Sequence, residues 1–249
     1  MESISSRKNA YIRHVRQLSA DGDYRRAQGE YLCDGMKTLR EALHFGARVT
    51  SVLWKERAGE IELPEETKQY CVPGDLFDYA SPMSSSPGPL FTVAVRGCGK
   101  PGKLSNAIVL EGVQDPGNVG TVIRTANAFG IGAVILTGDC ADLYHPKTVR
   151  ATMGAIFRQP VLEMDLAFLA DFLKDHGLPL YAAALDPQAV DLREVSLRHA
   201  AVAVGSEGRG LSAALIAISE KTVIIPMQAD SESLNAAVAA AVLMWEAVR

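Results

Sequence analysis

Between residues 108 and 130 the chain reads I-V-L-E-G-V-Q-D-P-G-N-V-G-T-V-I-R-T-A-N-A-F-G, and two side chains there suit the handling of an anionic sugar: the amide of Asn118 and the guanidinium of Arg124. An amide donates and accepts at once, and a guanidinium presents a planar fork of donors that matches a phosphate. The elements that must position them are legible in the same stretch. The apolar run 108–113 predicts a buried strand and D-P-G at 115–117 a turn. The spacing of Val119, Val122, Ile123, Ala126 and Phe129 predicts a helix with one apolar face, stopped by Gly130. Asn118 or Gly117 is expected to cap this helix, and Arg124, opposite the apolar face, to reach back toward Asn118. A strand end that gathers an amide, a guanidinium and bare helix N–H groups is a place for an anion or a ribose phosphate.

Two later loops follow apolar runs in the same way. Residues 200–204 lead into G-S-E-G-R-G-L-S at 205–212, and 223–225 into P-M-Q-A-D-S-E-S-L-N at 226–235. The first loop has the spacing G-x-x-G-x-G, not the dinucleotide fingerprint G-x-G-x-x-G, which counts against a nucleotide-dependent dehydrogenase. Residues 97–104 (G-C-G-K-P-G-K-L) nearly spell a phosphate loop, but Leu104 replaces the Mg²⁺-binding hydroxyl and a strand follows where a helix is required. The segment reads as a linker, 98–104. Beyond it, apolar runs at 133–136, 161–162, 180–185, 200–205 and 222–227 alternate with helical segments such as 166–176. That alternation predicts a parallel sheet covered on both faces, with ligands at the carboxyl ends of its strands. Before it, short strands (30–34, 49–54, 69–72, 90–95) and helices (36–45, 74–79) predict a separate small α/β unit over residues 1–97.

No apolar run approaches the ~20 residues that a membrane span needs, and the N-terminus lacks the apolar core of a signal peptide, so a cytoplasmic protein without membrane attachment is expected. Four cysteines and five histidines show no ligand spacing, so neither a metal site nor a disulfide framework is expected. A net charge of −4 argues against indiscriminate nucleic-acid binding, yet the charge is uneven. Residues 1–50 hold nine Lys/Arg against six Asp/Glu, whereas residues 101–249 hold eleven against sixteen. Arg7, Lys8, Arg13, Arg16, Arg25 and Arg26, with Tyr11 and Tyr24 among them, make the N-terminal part the electrostatic candidate for RNA.

The three loops, in this order and at these separations, resemble the three motifs of the SpoU/TrmH family of RNA ribose 2'-O-methyltransferases, within the SPOUT superfamily. The likeness is carried by N-V-G at 118–120 with I-R-T-A-N-A-F-G from Ile123, then by the 205–212 and 226–235 loops. It covers residues 105–249 well. Over 1–97 it is looser, where Y-L-C-D-G-M-K-T-L-R-E-A-L (31–43) is similar to the small RNA-binding domain, itself like a ribosomal protein, that many relatives carry. The polar loop 84–88 is similar to one that approaches the target in relatives.

The resemblance implies an enzyme that takes a methyl group from S-adenosylmethionine without a metal and places it on ribosomal RNA, with transfer RNA, or a non-catalytic RNA-binding protein of the same fold, as the alternatives. Carried over by position, Arg124, Asn118, Glu207, Ser233 and Asn235 surround the reacting ribose, and Gly205, Glu207, Gly208, Gly210, Ile225, Met227 and Leu234 hold the methyl donor. The resemblance also implies a trefoil knot at the chain end and a homodimer with its active sites near the interface. Small residues at 150–156 (R-A-T-M-G-A-I) and in the alanine-rich last helix, 235–248, are expected to allow close packing.

Overall fold

The computed structural model describes residues 1–83, 86–96, 102–228 and 233–249. Ser84, Ser85 and the first part of the linker lie outside them, as does part of the 226–235 loop. In chain order the elements are β1 (Glu2–Ser3), α1 (Ala10–Ala20), α2 (Gly22–Gln28), β2 (Glu30–Asp34), α3 (Met36–His44), β3 (Val49–Lys55), β4 (Lys68–Val72), α4 (Gly74–Ala80), β5 (Leu90–Ala94), β6 (Ala107–Glu111) and α5 (Pro116–Phe129). They continue with β7 (Ala133–Thr137), α6 (Pro146–Ala151), β8 (Val161–Glu163), α7 (Leu166–His176), β9 (Leu180–Ala183), β10 (Val190–Asp191), β11 (Ala201–Gly205), α8 (Ala213–Ile218), β12 (Lys221–Ile224) and α9 (Ala236–Val248).

The chain forms two compact units, Met1–Gly97 with Asp142–Phe157, and Cys98–Ala141 with Arg158–Arg249. The division expected at 97/105 therefore misses one excursion: residues 142–157 leave the second unit between β7 and β8 and belong to the first. Two kinds of contact hold them there. Val149 and Phe157 join the apolar cluster of Tyr31, Leu39, Val52, Trp54 and Phe91, and the carboxylate of Asp142 takes bonds from Arg25 Nε (3.1 Å) and Nη2 (2.5 Å). Arg25 is 3% exposed and spends a third donor on the carbonyl of Leu18. A buried guanidinium needs such partners to offset its desolvation. Arg25 is thus structural and leaves the basic set proposed for RNA. The polar stretch 142–145 runs directly into α6, whose first turn starts at Pro146 behind the His145 cap.

The first unit is a mixed sheet in the order β1-β4-β3-β5-β2, with β2 and β3 antiparallel to β5 and the remaining pairs parallel. One face is closed by α1 and α4 through Ile12, Val15, Leu18, Leu76 and Phe77.

The second unit is an all-parallel sheet in the order β10-β12-β9-β11-β6-β7-β8. Because its central strands are buried on both faces up to the last residues of β6 and β11, the sequence there reads as nearly unbroken apolar runs. On one face α7 and α8 close over Val109, Ile135 and Ala203 through Leu169, Leu173 and Leu215. On the other, α5 and α9 pack on each other and on β7 and β11. Ala236, Ala237 and Ala240 are buried in α9, the close packing that its composition predicts. Among the described residues no helix is long and apolar enough to cross a membrane.

Candidate functional site

Parallel strands all finish on one edge, and β6, β11 and β12 deliver the three expected loops there. α5 starts one turn earlier than expected. Asp115 is its cap, accepting from the Asn118 amide N–H at 2.9 Å, with Pro116 in the first helical position. Proline is pre-organised there and sacrifices no bond, since the first N–H groups of a helix have no partner within it. The Asp-Pro pair carried this signal. With the cap supplied by Asp115, the Asn118 side chain is released for longer reach. Gly130 ends the helix in the left-handed region (φ 70°), as its position predicts.

Asn118 Nδ2 donates to Glu207 Oε1 at 3.0 Å. Asn235 Nδ2 donates to the same oxygen at 2.6 Å and to Asn118 Oδ1 at 3.1 Å, and the Ala236 N–H adds a further bond to Glu207 at 3.3 Å. Asn235 Oδ1 meanwhile caps α9 through the N–H groups of Ala237 and Val238. One side chain from each loop, separated by up to 117 positions, therefore closes a single cluster at the N-terminus of α9. A carboxylate is favoured at that position by the partial positive charge of the helix N-terminus.

Two cavities flank the 206–209 segment. The smaller, about 210 Å³, is bordered by Gln114, Asp115, Asn118 and Glu207. The larger, about 450 Å³, carries an apolar lining that includes Leu185, Ile225, Met227 and Leu234, together with the 205–211 backbone and Ser233. Gly205, Gly208 and Gly210 all border the larger one. The 205–211 segment turns back on itself, with Gly210 N–H donating to the Ser206 carbonyl at 2.8 Å and Gly210 at φ 65°. A Cβ on Gly205 would fall inside contact distance of the Gly210 carbonyl. The glycine is therefore required first by the loop's own backbone, a reason additional to the approach of a ligand that its resemblance implies.

Of the expected polar residues, Asn118, Glu207 and Asn235 are brought together, while Ser233 sits in the wall of the larger cavity. Arg124 is not among them. It is exposed on α5, makes no hydrogen bond or ion pair with a described residue and borders neither cavity. Six positions separate it from Asn118, which places the two on different sides of the helix. Glu207 accordingly holds the two asparagines and not Arg124. Among the described residues Arg209 is the cation bordering both cavities, and sequence reasoning missed it. So did it miss Glu111 at the end of β6, whose carboxylate takes bonds from Ser212 N–H and Oγ, both at 2.7 Å.

The site's fit to an adenosyl donor rests on this geometry. A volume of about 450 Å³ lies within the ~300–1,000 Å³ of small-molecule sites, which are mostly apolar with a few placed polar groups.

Comparison with known proteins points the same way. Residues 105–245 match the SpoU rRNA Methylase family. The chain is 33% identical over 253 residues to the 23S rRNA (guanosine(2553)-2'-O)-methyltransferase RlmP of Bacillus subtilis, covering 98% of each protein. It is 27% identical to the 23S rRNA (uridine(2479)-2'-O)-methyltransferase of Streptomyces viridochromogenes, covering 99% of this chain and 91% of that protein. Among solved structures, the SpoU methyltransferase AviRb from Streptomyces viridochromogenes in complex with the cofactor AdoMet superposes with a TM-score of 0.86 at 26% identity, over 97% of this chain and 98% of that one. With the family matched over more than half its length and one relative matched end to end, this chain belongs to the SpoU rRNA methylase family.

Proposed function

We propose that the chain is a cytoplasmic RNA ribose 2'-O-methyltransferase that uses S-adenosylmethionine, with ribosomal RNA as its target. The observation that carries this reading is the Asn118–Glu207–Asn235 cluster standing between an apolar cavity sized for the donor and a small polar one. The bound donor supplies a methyl group on a positively charged sulfur, and the neighbouring apolar wall suits the loss of that charge during transfer. Leu234, Met227 and Ile225 hold its apolar parts, and the 205–211 backbone reads its polar edge. In the polar cavity Asn118 and Asn235 fix Glu207 through Oε1. Oε2 takes no bond from a described residue and is the acceptor available to the ribose hydroxyl. Holding hydroxyl and methyl in line accounts for most of the acceleration expected of such a site.

Arg124 orients the ribose through its phosphate. An arginine with a pKa above ~12 is a poor proton acceptor at neutral pH, so it is not the base. Its exposure, away from its own chain's cavities, supports a homodimer that brings it to the site. α9, which packs on α5, exposes Val238, Val242 and Trp245, the last 57% accessible, and a stripe of exposed apolar side chains along one helix suits an interface. The trefoil knot and the ribosomal-protein likeness of the first unit belong to the same reading. The non-sequential order β12-β9-β11-β6 and the packing of α9 on α5 support the former.

RNA is held by the first unit. With Arg25 buried and Arg26 paired to Asp23, the available cations of the basic set are Arg7, Lys8, Arg13 and Arg16. Arg7 and Arg16 both lie on the Tyr79 ring, 4.5 and 4.0 Å from its centre, which fixes two guanidinium groups for phosphate. The two 23S relatives are named for different nucleotides, a guanosine and a uridine, so the base is not inherited with the fold. Mapping 2'-O-methyl groups on ribosomal and transfer RNA from cells with and without the protein tests the reading. Loss of one ribosomal site is the expected result, and an unchanged map with a protein that binds no donor would overturn it.

A further inference from the structure

The carboxylate of Glu111 has no place in the ribose or donor contacts described above, yet it makes two of the shorter hydrogen bonds in the second unit. We propose that Glu111 is a positioning residue for methyl-donor binding: it clamps the return end of the 205–211 loop through Ser212. This rests on the larger cavity being the donor site.

In the sheet, Glu111 is the register partner of Gly205 on β11 and Thr137 on β7. The loop therefore departs from a position directly beside Glu111. It returns at Ser212, whose N–H and Oγ donate to Oε2 and Oε1 of the same carboxylate. One side chain thereby fixes where the loop ends relative to where it begins. Ser212 Oγ also accepts from Leu215 N–H at 3.1 Å, so the clamp extends into the start of α8. Between these ends the loop is folded on Ser206, whose carbonyl accepts from Gly210 N–H at 2.8 Å and whose Oγ accepts from Arg209 N–H at 3.3 Å, and six of its residues, Ser206 to Leu211, border the donor cavity. A carboxylate accepting from a backbone N–H and a hydroxyl at once is a charge-assisted pair, stronger than neutral bonds. Glu207 is held separately by Asn118 and Asn235, so loosening the Ser212 end disturbs the donor wall more than the ribose side.

The test uses the full chain. Glu111→Ala is expected to raise the calorimetric Kd and the KM for S-adenosylmethionine by roughly tenfold, the scale of lost bonds to a charged group. The kcat at saturating donor should stay within about twofold. Glu111→Gln keeps an oxygen for the Ser212 N–H and offers an amide to its Oγ, so it should recover most of the affinity. Ser212→Ala, which leaves β6 untouched, should weaken donor binding by an intermediate factor and decides the matter if Glu111→Ala lowers Tm. Unchanged donor Kd in Glu111→Ala and Ser212→Ala overturns the clamp, and so does a fall in kcat with no change in KM. A wild-type chain that binds no S-adenosylmethionine at all would instead refute the donor-site reading beneath it.

Discussion

The hydrogen-bonded polar clusters of the two units are built on different scaffolds. In the first, His14 joins Tyr24 (3.0 Å) and Glu30 (3.1 Å), and a row of hydroxyls runs from Tyr11 through Ser51 and Thr92 to Thr50. These groups stand on α1, α2 and the strands themselves and bond one another, beside a cavity of about 310 Å³ bordered by Tyr11, His14, Glu30, Thr50 and Ser51. In the second unit, Asn118, Glu207 and Asn235 come from three loops at one sheet edge, with a cavity on either side. A polar cluster locked into regular elements specifies packing. One assembled from loop ends, on a rigid parallel sheet, leaves bonding capacity for a substrate. Polarity alone does not separate the two; the elements supplying the groups do.

Substitutions in the loop-built cluster should therefore act on binding and catalysis, and those in the first unit on stability. The largest effect is expected at Gly205. Gly205→Ala forces a methyl group into the Gly210 backbone, and donor affinity measured by calorimetry should fall by more than ~100-fold as the loop is displaced. Retained affinity would show that this loop is not the donor wall.

Next comes Arg124→Ala, which should lower methyl incorporation into RNA by about 100-fold while unfolding free energy moves by no more than ~0.5 kcal/mol, the range for an exposed site. Arg124→Lys should rescue poorly, since an ammonium cannot reproduce the planar fork. Full activity in a folded Arg124→Ala variant would remove Arg124 from the mechanism.

In the first unit, Asp142→Ala strips the buried Arg25 of its carboxylate. Because the Asp142 side chain retains 27% exposure, the cost should be about 2 kcal/mol, below the ~3–5 of a fully buried pair. Urea denaturation measures it, and an accompanying change in donor Kd would blur the contrast drawn here.

The smallest effect concerns pH. The hydrogen bond from His14 holds the Glu30 carboxyl below its ordinary value. A depressed carboxylate stabilises the fold above the usual range near ~4.3 and loses that contribution as pH falls through its folded value. His14→Ala should flatten the acid limb of the stability curve below neutrality, with the two proteins converging at low pH. Identical slopes at all pH values would show that the pair contributes nothing.

Much of this is legible in the sequence itself. Strand β2 and helix α7 coincide with residues 30–34 and 166–176, because buried strands and amphipathic helices imprint their periods on the sequence. The asparagines and Glu207 were legible as loop residues, and their meeting followed once the strands were parallel. The excursion 142–157 was not legible, since its attachment depends on Val149 and Phe157 fitting a core laid down far earlier in the chain. Nor was Glu111, an acidic residue at a strand end whose partner lies 101 positions away. Short pieces such as α2, α6 and β10 carry too few periods to announce themselves.

The excursion also sets an order of events during synthesis. The first unit lacks Val149, Phe157 and the Asp142 partner of Arg25 until 60 residues after Gly97 has been made. At ~5–20 residues per second that is a wait of roughly 3–12 s, during which the first unit stands incomplete and its core open. Nascent chains stalled at residue 104 should be cut readily by protease within residues 1–97, whereas chains stalled well past residue 157 should resist. The first unit therefore cannot be completed before two of the seven strands of the second sheet, β6 and β7, have been translated.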